Sequence, residues 1–243
     1  MCMCMYVCMC VCVCMYVHVC VCACVCVCVL IVVCVAGDVL VCQSNACYSF
    51  LGRKLGLWGA TEMDIIACEQ LLCEAMDLRN AVVGFSYGRT ALDPLDSQQA
   101  QAFITSQQVG ILMKLNLWLS RQEKFCAKSP FFVSGYPTAP DFHLFELLDQ
   151  MELIAHCRSL PSVTSGVVTT TSSGNDTSSE RIELSFLHIF YQNFRKLPEN
   201  EKYFASKMAT APCNNLTAVF GSMSCGQRWE EGTALPEDTG GVY

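Results

Sequence analysis

The sequence predicts a mainly α protein, a bundle of four or five long helices with a fragment of something β-containing at its front. Three observations predict it. Apolar residues recur at three- and four-residue spacing through most of residues 61–196. Helix-start signals precede those runs at Thr61 and Thr138. Beyond residue 37, only Val39–Cys42 reads as a strand, after a Gly37-Asp38 turn signal.

Composition narrows the function classes. The chain has 243 residues, 53% hydrophobic and 15% charged, which excludes an intrinsically disordered chain. A net charge of −7 argues against a nucleic-acid binder, because little is available to neutralise phosphates. Twelve of the 20 cysteines lie in the first 34 residues. The other eight are spread thinly, as in a reduced cytosolic protein.

Residues 1–37 alternate Val or Met with Cys and carry no Asp, Glu, Lys or Arg. Four readings compete. A membrane span has the length but lacks a basic flank, and a repeat of two does not favour a helix. Cys-x-Cys runs offer soft thiolates to zinc or copper(I), but the Val and Met spacers are poor for wrapping a cluster. An exposed alternating strand would aggregate. The genetic code supplies the fourth reading: a TG repeat in frame encodes Val-Cys, and slight decay adds Met, Tyr, His and Ala. Those residue types account for positions 1–29 completely. This favours a translated repeat in which neither His18 nor the cysteines form a site.

The elements follow in order. Gln43-Ser44-Asn45-Ala46 leads from the strand into a helix reaching about Lys54. A serine hydroxyl and free N–H groups at a helix start can hold a carboxylate, or Ser44 simply caps the helix. Gly56 and Gly59 bracket a linker containing Trp58. Thr61 and Asp64 read as an N-cap and acidic N3 residue of a long helix, with Ile65, Leu72, Met76 and Val83 at helical spacing to about Tyr87. Asp77 and Tyr87 lie roughly 15 Å apart along its axis at 1.5 Å per residue. They read as two subsites, or as a solvated acid and an interfacial tyrosine.

Pro94 and Asp96 mark a loop, and a second long helix is predicted over 97–127 with Ile104, Ile111, Leu115 and Trp118 on one stripe. Thr138, followed by Pro140 and Asp141, starts a core helix through Leu144, Leu147, Leu148, Met151, Ile154 and Ala155. Residues 159–180 are Ser/Thr-rich without a period and read as a disordered insert. The glycosylation sequons at Asn175 and Asn215 read as chance matches. A last helix is predicted over about 181–196, with Leu187, Phe190, Tyr191 and Phe194 inward and Pro198 as its stop. The tail from residue 212 reads as irregular.

Six segments in this order resemble the glutathione transferases, most closely their mu-like or sigma-like branches. They are residues 37–46 (Gly-Asp-Val-Leu-Val-Cys-Gln-Ser-Asn-Ala), 50–57, 75–79 (Ala-Met-Asp-Leu-Arg), 138–144 (Thr-Ala-Pro-Asp-Phe-His-Leu), 190–204 and 213–222. The resemblance covers roughly 37–157 and 184–229. It implies a glutathione-transferase C-terminal helical bundle at 58–229, preceded at 38–57 by a remnant of a thioredoxin-like α/β domain. Residues 1–37 would be a low-complexity lead and 230–243 a tail.

The resemblance also implies roles. Gln43 and Ser44 match the pair that holds the γ-glutamyl carboxylate of glutathione. Asp77 matches the acid that reaches the glutathione amino group across a homodimer interface. Tyr87 matches a tyrosine lining the hydrophobic co-substrate pocket. Thr138 and Asp141 match a capping box needed for folding. The implied reaction is attack of the glutathione thiolate on a small hydrophobic electrophile, in a cytoplasmic dimer with glutathione as co-substrate, no cofactor, no metal, and no nucleic-acid or membrane partner. The family's sulfur-activating Tyr or Ser and its cis-proline have no assigned counterpart. Only 42 residues precede Gln43, Tyr6 and Tyr16 fall inside the repeat, and no proline occurs before Pro94. The expectation is therefore a truncated or impaired transferase with its catalytic residue unassigned. The alternative is a non-catalytic binding or dimerisation module of the same fold.

Overall fold

A computed structural model describes residues 39–122, 129–164, 183–206, 209, 212–214 and 218–222, and the backbone alone of 25–26, 29–30, 33–36, 168–171 and 179–182. Tyr6, Tyr16, His18, both sequon asparagines and the tail beyond residue 222 lie outside the described residues.

The chain enters through β1 (Val25–Cys26) and β2 (Val29–Leu30), then β3 (Val33–Ala36) and β4 (Val39–Cys42). β3 and β4 pair antiparallel, with Ala36 opposite Val39 and Val33 opposite Cys42. The predicted strand is thus present, and its partner lies in the Val/Cys-rich stretch read above as a translated repeat. Alternating Val and Cys suits a ladder, since every second side chain shares a face.

Helices α1 (Ser44–Lys54), α2 (Glu62–Ser86), α3 (Ser97–Gln107), α4 (Met113–Ser120), α5 (Ala139–Cys157) and α6 (Ser185–Arg195) follow, with a short α7 (Glu201–Phe204) after a 3₁₀ turn at Pro198–Asn200. α2 and α5 pack along the bundle centre. Phe85, Phe132, Leu144, Leu148, Phe190 and Phe194 are among their shared core, and Phe85 stacks on Phe103 at 4.2 Å.

The stripe on α2 is rotated from the expected one. Leu72 is buried, but Ile65 is 37% exposed and the inward face is Leu71, Ala75, Leu78, Val82 and Phe85. α2 is apolar around much of its circumference, so periodicity alone does not select a face. On α5 and α6 the expected stripes are buried as read.

The helix predicted over 97–127 is present without interruption over 97–120, with a π turn inside it. α3 passes into a π turn at Gln108–Leu112, and α4 ends at Ser120. At the first residue of that turn the buried Gln108 Nε2 donates to the Val163 carbonyl at 2.7 Å. A π turn inserts one residue and re-aims the side chains that follow.

The insert expected to be disordered over 159–180 holds regular backbone. β5 (Val168–Thr171) pairs antiparallel with β6 (Ser179–Ile182), and β6 occupies the start of the helix predicted from 181. Its root is anchored: Glu152 accepts from Ser162 Oγ, Val163 N, Thr164 N and Thr164 Oγ1 at 2.9–3.1 Å, and Val163 is fully buried. Ser/Thr richness reads as disorder only while a distant carboxylate goes unseen.

Candidate functional site

The strand-to-helix corner comes first. Gln43 is exposed and adopts φ 76°, ψ 135°, a left-handed conformation that a non-glycine residue rarely adopts. This sharp corner delivers Ser44, only 6% exposed, to the first position of α1. Cys47 N closes the first helical bond on the Gln43 carbonyl at 2.9 Å. The N–H groups before it have no intrahelical acceptor, as at any helix start.

Packing holds the corner in place. The fully buried Cys47 donates its thiol to the Val41 carbonyl at 3.3 Å, and Leu51 packs with Val41. Asn45 Nδ2 donates to the Leu72 carbonyl at 3.1 Å, which ties α1 to α2. At the other end of α1, a Cβ on Gly52 would lie 2.6 Å from the Trp58 ring and 3.0 Å from Ala139. Only glycine permits that approach of α1 to the linker and α5. Ala139 N then donates to the Leu57 carbonyl at 2.8 Å.

The assigned positions on α2 are strung along the helix. Asn45 meets α2 at Leu72, Asp77 lies five residues on and is exposed, and Tyr87 caps the C-terminus. From Leu72 to Tyr87 is roughly 22 Å of axis at 1.5 Å per residue. Tyr87 is half-buried, with the Arg89 guanidinium 5.3 Å over its ring. Beside it the chain returns: Val219 N and Phe220 N both donate to the Ser86 carbonyl, at 2.9 and 3.0 Å, and Phe220 is 1% exposed. Reading the tail as irregular missed this docking, whose one signal is a lone aromatic before a glycine.

The capping pair is buried completely. Asp141 accepts from Thr138 N at 2.7 Å, Thr138 Oγ1 at 2.5 Å and Phe132 N at 2.8 Å. Burial pushes its carboxyl up to about 6, while these hydrogen bonds pull the other way. Cys68 of α2 shares the Thr138 hydroxyl, and burial pushes its thiol up to about 12. A thiol so placed is inert as a nucleophile.

Two further residues escaped the sequence reading. His143, one turn along from the cap, is 4% exposed, and burial with the nearby Arg79 charge pushes its imidazole down to about 3. Asp149 holds both the Tyr191 hydroxyl at 2.7 Å and the Arg195 guanidinium at 3.1 Å, and burial together with that carboxylate pushes the Tyr191 phenol up. Among the described residues no group of three or more His, Cys, Asp or Glu side chains is placed to hold a metal ion. No helix among them is long and apolar enough to cross a membrane.

The chain is similar in sequence and fold to known proteins. The chain is 30% identical over 112 residues to glutathione S-transferase B of Cavia porcellus, covering 46% of each. It is 29% identical over 116 residues to glutathione S-transferase Mu 2 of Rattus norvegicus, covering 48% of this chain and 47% of that one. It thus spans about half the length of the curated relatives it matches. Among solved structures, the glutathione S-transferase Blo t 8 superposes with a TM-score of 0.57 at 17% identity, covering 78% of this chain and 75% of that one. The Pi-class glutathione S-transferase of Onchocerca volvulus superposes at 0.55 with 20% identity, covering 77% and 76%. No protein-family model matches the chain.

Proposed function

We propose that this relative of the glutathione S-transferases, whose mainly helical bundle has their fold, binds glutathione at the Gln43–Ser44 corner and serves conjugation of its thiolate to a hydrophobic electrophile. The observation that carries the reading is the left-handed Gln43. Strain of this kind persists where surrounding structure requires it. Here it presents a hydroxyl and free N–H groups together, the donor set that suits a carboxylate such as the γ-glutamyl end. Asp77, exposed on α2, is assigned to the amino group of glutathione bound in a partner subunit. Tyr87 and the returning Val219–Phe220 segment are assigned to the apolar co-substrate side. Thr138 and Asp141 are assigned to folding. We place the protein in the cytoplasm as a homodimer with no cofactor.

Binding and conjugation are separable. The carboxylate-binding corner lies within 38–57, whereas no described residue is assigned to the glutathione sulfur. Conjugation by this chain is expected to be weak, because losing one activating donor costs on the order of 10² in rate. Titration with S-hexylglutathione tests the binding. Ser44→Ala should weaken it about tenfold, the loss expected for one hydrogen bond to a charged group. Unchanged affinity would remove the corner as the site. Conjugation to chlorodinitrobenzene at the wild-type level of an intact transferase would overturn the impaired reading.

A second reading, a non-catalytic dimerisation module, is favoured by the start of α2. Met63 is 72% exposed, Ile66 40% and Ile65 37%, an apolar set on the same helix as Asp77. Sedimentation showing a stable dimer without glutathione affinity would establish it.

A further inference from the structure

A relay of three side chains joins α5 to α6 at the root of the segment that follows α5, and the glutathione-binding corner does not involve it. Glu152 of α5 accepts from Ser162 Oγ at 2.9 Å, from Val163 N at 3.1 Å, and from Thr164 N and Thr164 Oγ1, both at 3.0 Å. Glu152 is thus the acceptor in all four contacts. On its other side the Thr164 hydroxyl meets Nδ1 of His188, on α6, at 3.1 Å. Thr164 is 2% exposed, so a carboxylate and an imidazole are linked through a hydroxyl inside the fold.

Proton counting fixes the state of the imidazole. A threonine hydroxyl carries one proton. That proton is committed to Glu152, because two acceptor oxygens at 3.0 Å with no proton between them would repel. The contact with His188 then requires that Nδ1 carry a hydrogen and donate it to Thr164 Oγ1. Donation runs from Nδ1–H to Oγ1, and from Oγ1–H to Oε1. In the neutral ring this leaves Nε2 as the lone-pair nitrogen. Nε2 has no hydrogen-bond partner among the described residues, and unlike both ring nitrogens of His143 it is not buried without one. His188 is half-buried, and the ring edge turned away from the enclosed Thr164 bears Nε2.

An imidazole held in this way is set to attack through Nε2. As the lone pair forms a bond, positive charge develops in the ring, and donation from Nδ1–H towards a carboxylate spreads that charge. A histidine free in solvent has neither the fixed tautomer nor the support. We propose that His188 is a modification site for acylating electrophiles, with Thr164 as the positioning residue that holds its tautomer and Glu152 as the counter-charge. In the step, Nε2 bonds to the acyl carbon and the leaving group departs with its bonding electron pair. The ring gives up one proton to solvent, leaving a neutral N-acylimidazole.

The test treats the full chain with diethyl pyrocarbonate in mildly alkaline buffer and follows acylation at each histidine by peptide mapping with mass spectrometry. His156 of α5 is exposed and serves as the internal reference. Accessibility alone makes His156 the faster of the two, whereas the relay should make His188 faster by several-fold. Thr164→Val removes the hydroxyl and should slow His188 about tenfold, the lower end of what losing an orienting partner costs a histidine donor, while His156 is unchanged. Thr164→Ser restores the hydroxyl and should restore the rate. Nitrogen NMR of the wild-type imidazoles needs no variant, and should show His188 protonated at Nδ1 and bare at Nε2. A neutral His188 carrying its proton on Nε2 would overturn the proposal. So would a His188 slower than His156, or a Thr164→Val rate equal to the wild type. None of these outcomes bears on S-hexylglutathione affinity.

Discussion

The rings of Tyr48 and His143 pack with centroids 4.4 Å apart and planes tilted by 59°, joining α1 to α5. The contact is between a tyrosine whose hydroxyl reaches Glu146 at 3.5 Å and a histidine whose two ring nitrogens are buried with no hydrogen-bond partner among the described residues. His143 thus contributes packing area and a desolvation cost at once. His143→Leu keeps apolar bulk and removes the unmet polar atoms, so it should stabilise the fold by about 1–2 kcal/mol. A denaturant midpoint lowered by the change would show that the imidazole has a partner that matters.

The pH dependence follows with a definite sign. His143 is lowered from 6.5 to about 3 on folding, so the unfolded chain binds its proton first. Its stability contribution is complete above 6.5 and is lost as pH falls towards 3. Asp141 is raised from 3.8 to about 6, so its contribution is present below 3.8 and is lost as pH rises through 6. The two oppose each other between about pH 4 and 6. His143→Leu removes one of them, so the variant should gain on the wild type by roughly 1 kcal/mol for each unit of acidification in that window. Parallel denaturation at pH 4, 5 and 6 checks it, and a constant difference would sink it.

The Asp141 carboxylate serves three donors in a closed interior. Asp141→Ala strands the Phe132 and Thr138 N–H groups and should cost about 3–5 kcal/mol. Asp141→Asn retains an acceptor and should cost less. Thr138→Val removes only the hydroxyl and should cost about 1 kcal/mol. Equal losses for Asp141→Ala and Thr138→Val, measured by chemical denaturation, would contradict this ranking.

Asn116 of α4 caps a helix seventy residues away. Its Oδ1 accepts from Phe186 N at 3.0 Å and Leu187 N at 3.1 Å, while the local cap position, Leu184, supplies no side-chain bond. Asn116→Ala should destabilise by about 2 kcal/mol and speed amide exchange in the first turn of α6. Asn116→Asp should retain most of the protection. Exchange unchanged in the alanine variant would mean that water does the capping.

Some parts of the molecule were readable because their determinants are local. Thr61 with Asp64, and Thr138 with Asp141, lie three residues apart, so each cap is written in a short string. α5 carries so wide an apolar face that its burial follows from composition. The strand at Val39–Cys42 and the corner after it were legible for the same reason, although nothing in Gln-Ser announces a left-handed glutamine. The exposed Ile65 went the other way, because a helix apolar on several sides needs its neighbours to choose its inner face.

The helical class, the helix starts at Thr61 and Thr138, and the inward stripes of α5 and α6 were therefore legible in the sequence. Each depends on spacing of a few residues or on side-chain chemistry. Long-range packing decided the π turn beside the Gln108–Val163 bond, the Glu152 contacts that hold residues 162–164, the remote capping of α6 by Asn116, and the ring cluster of Phe142, Phe145, Phe194 and Phe204. These depend on groups tens of residues apart meeting in a closed interior. There an unpaired polar atom is costly and finds whichever partner the packing brings to it.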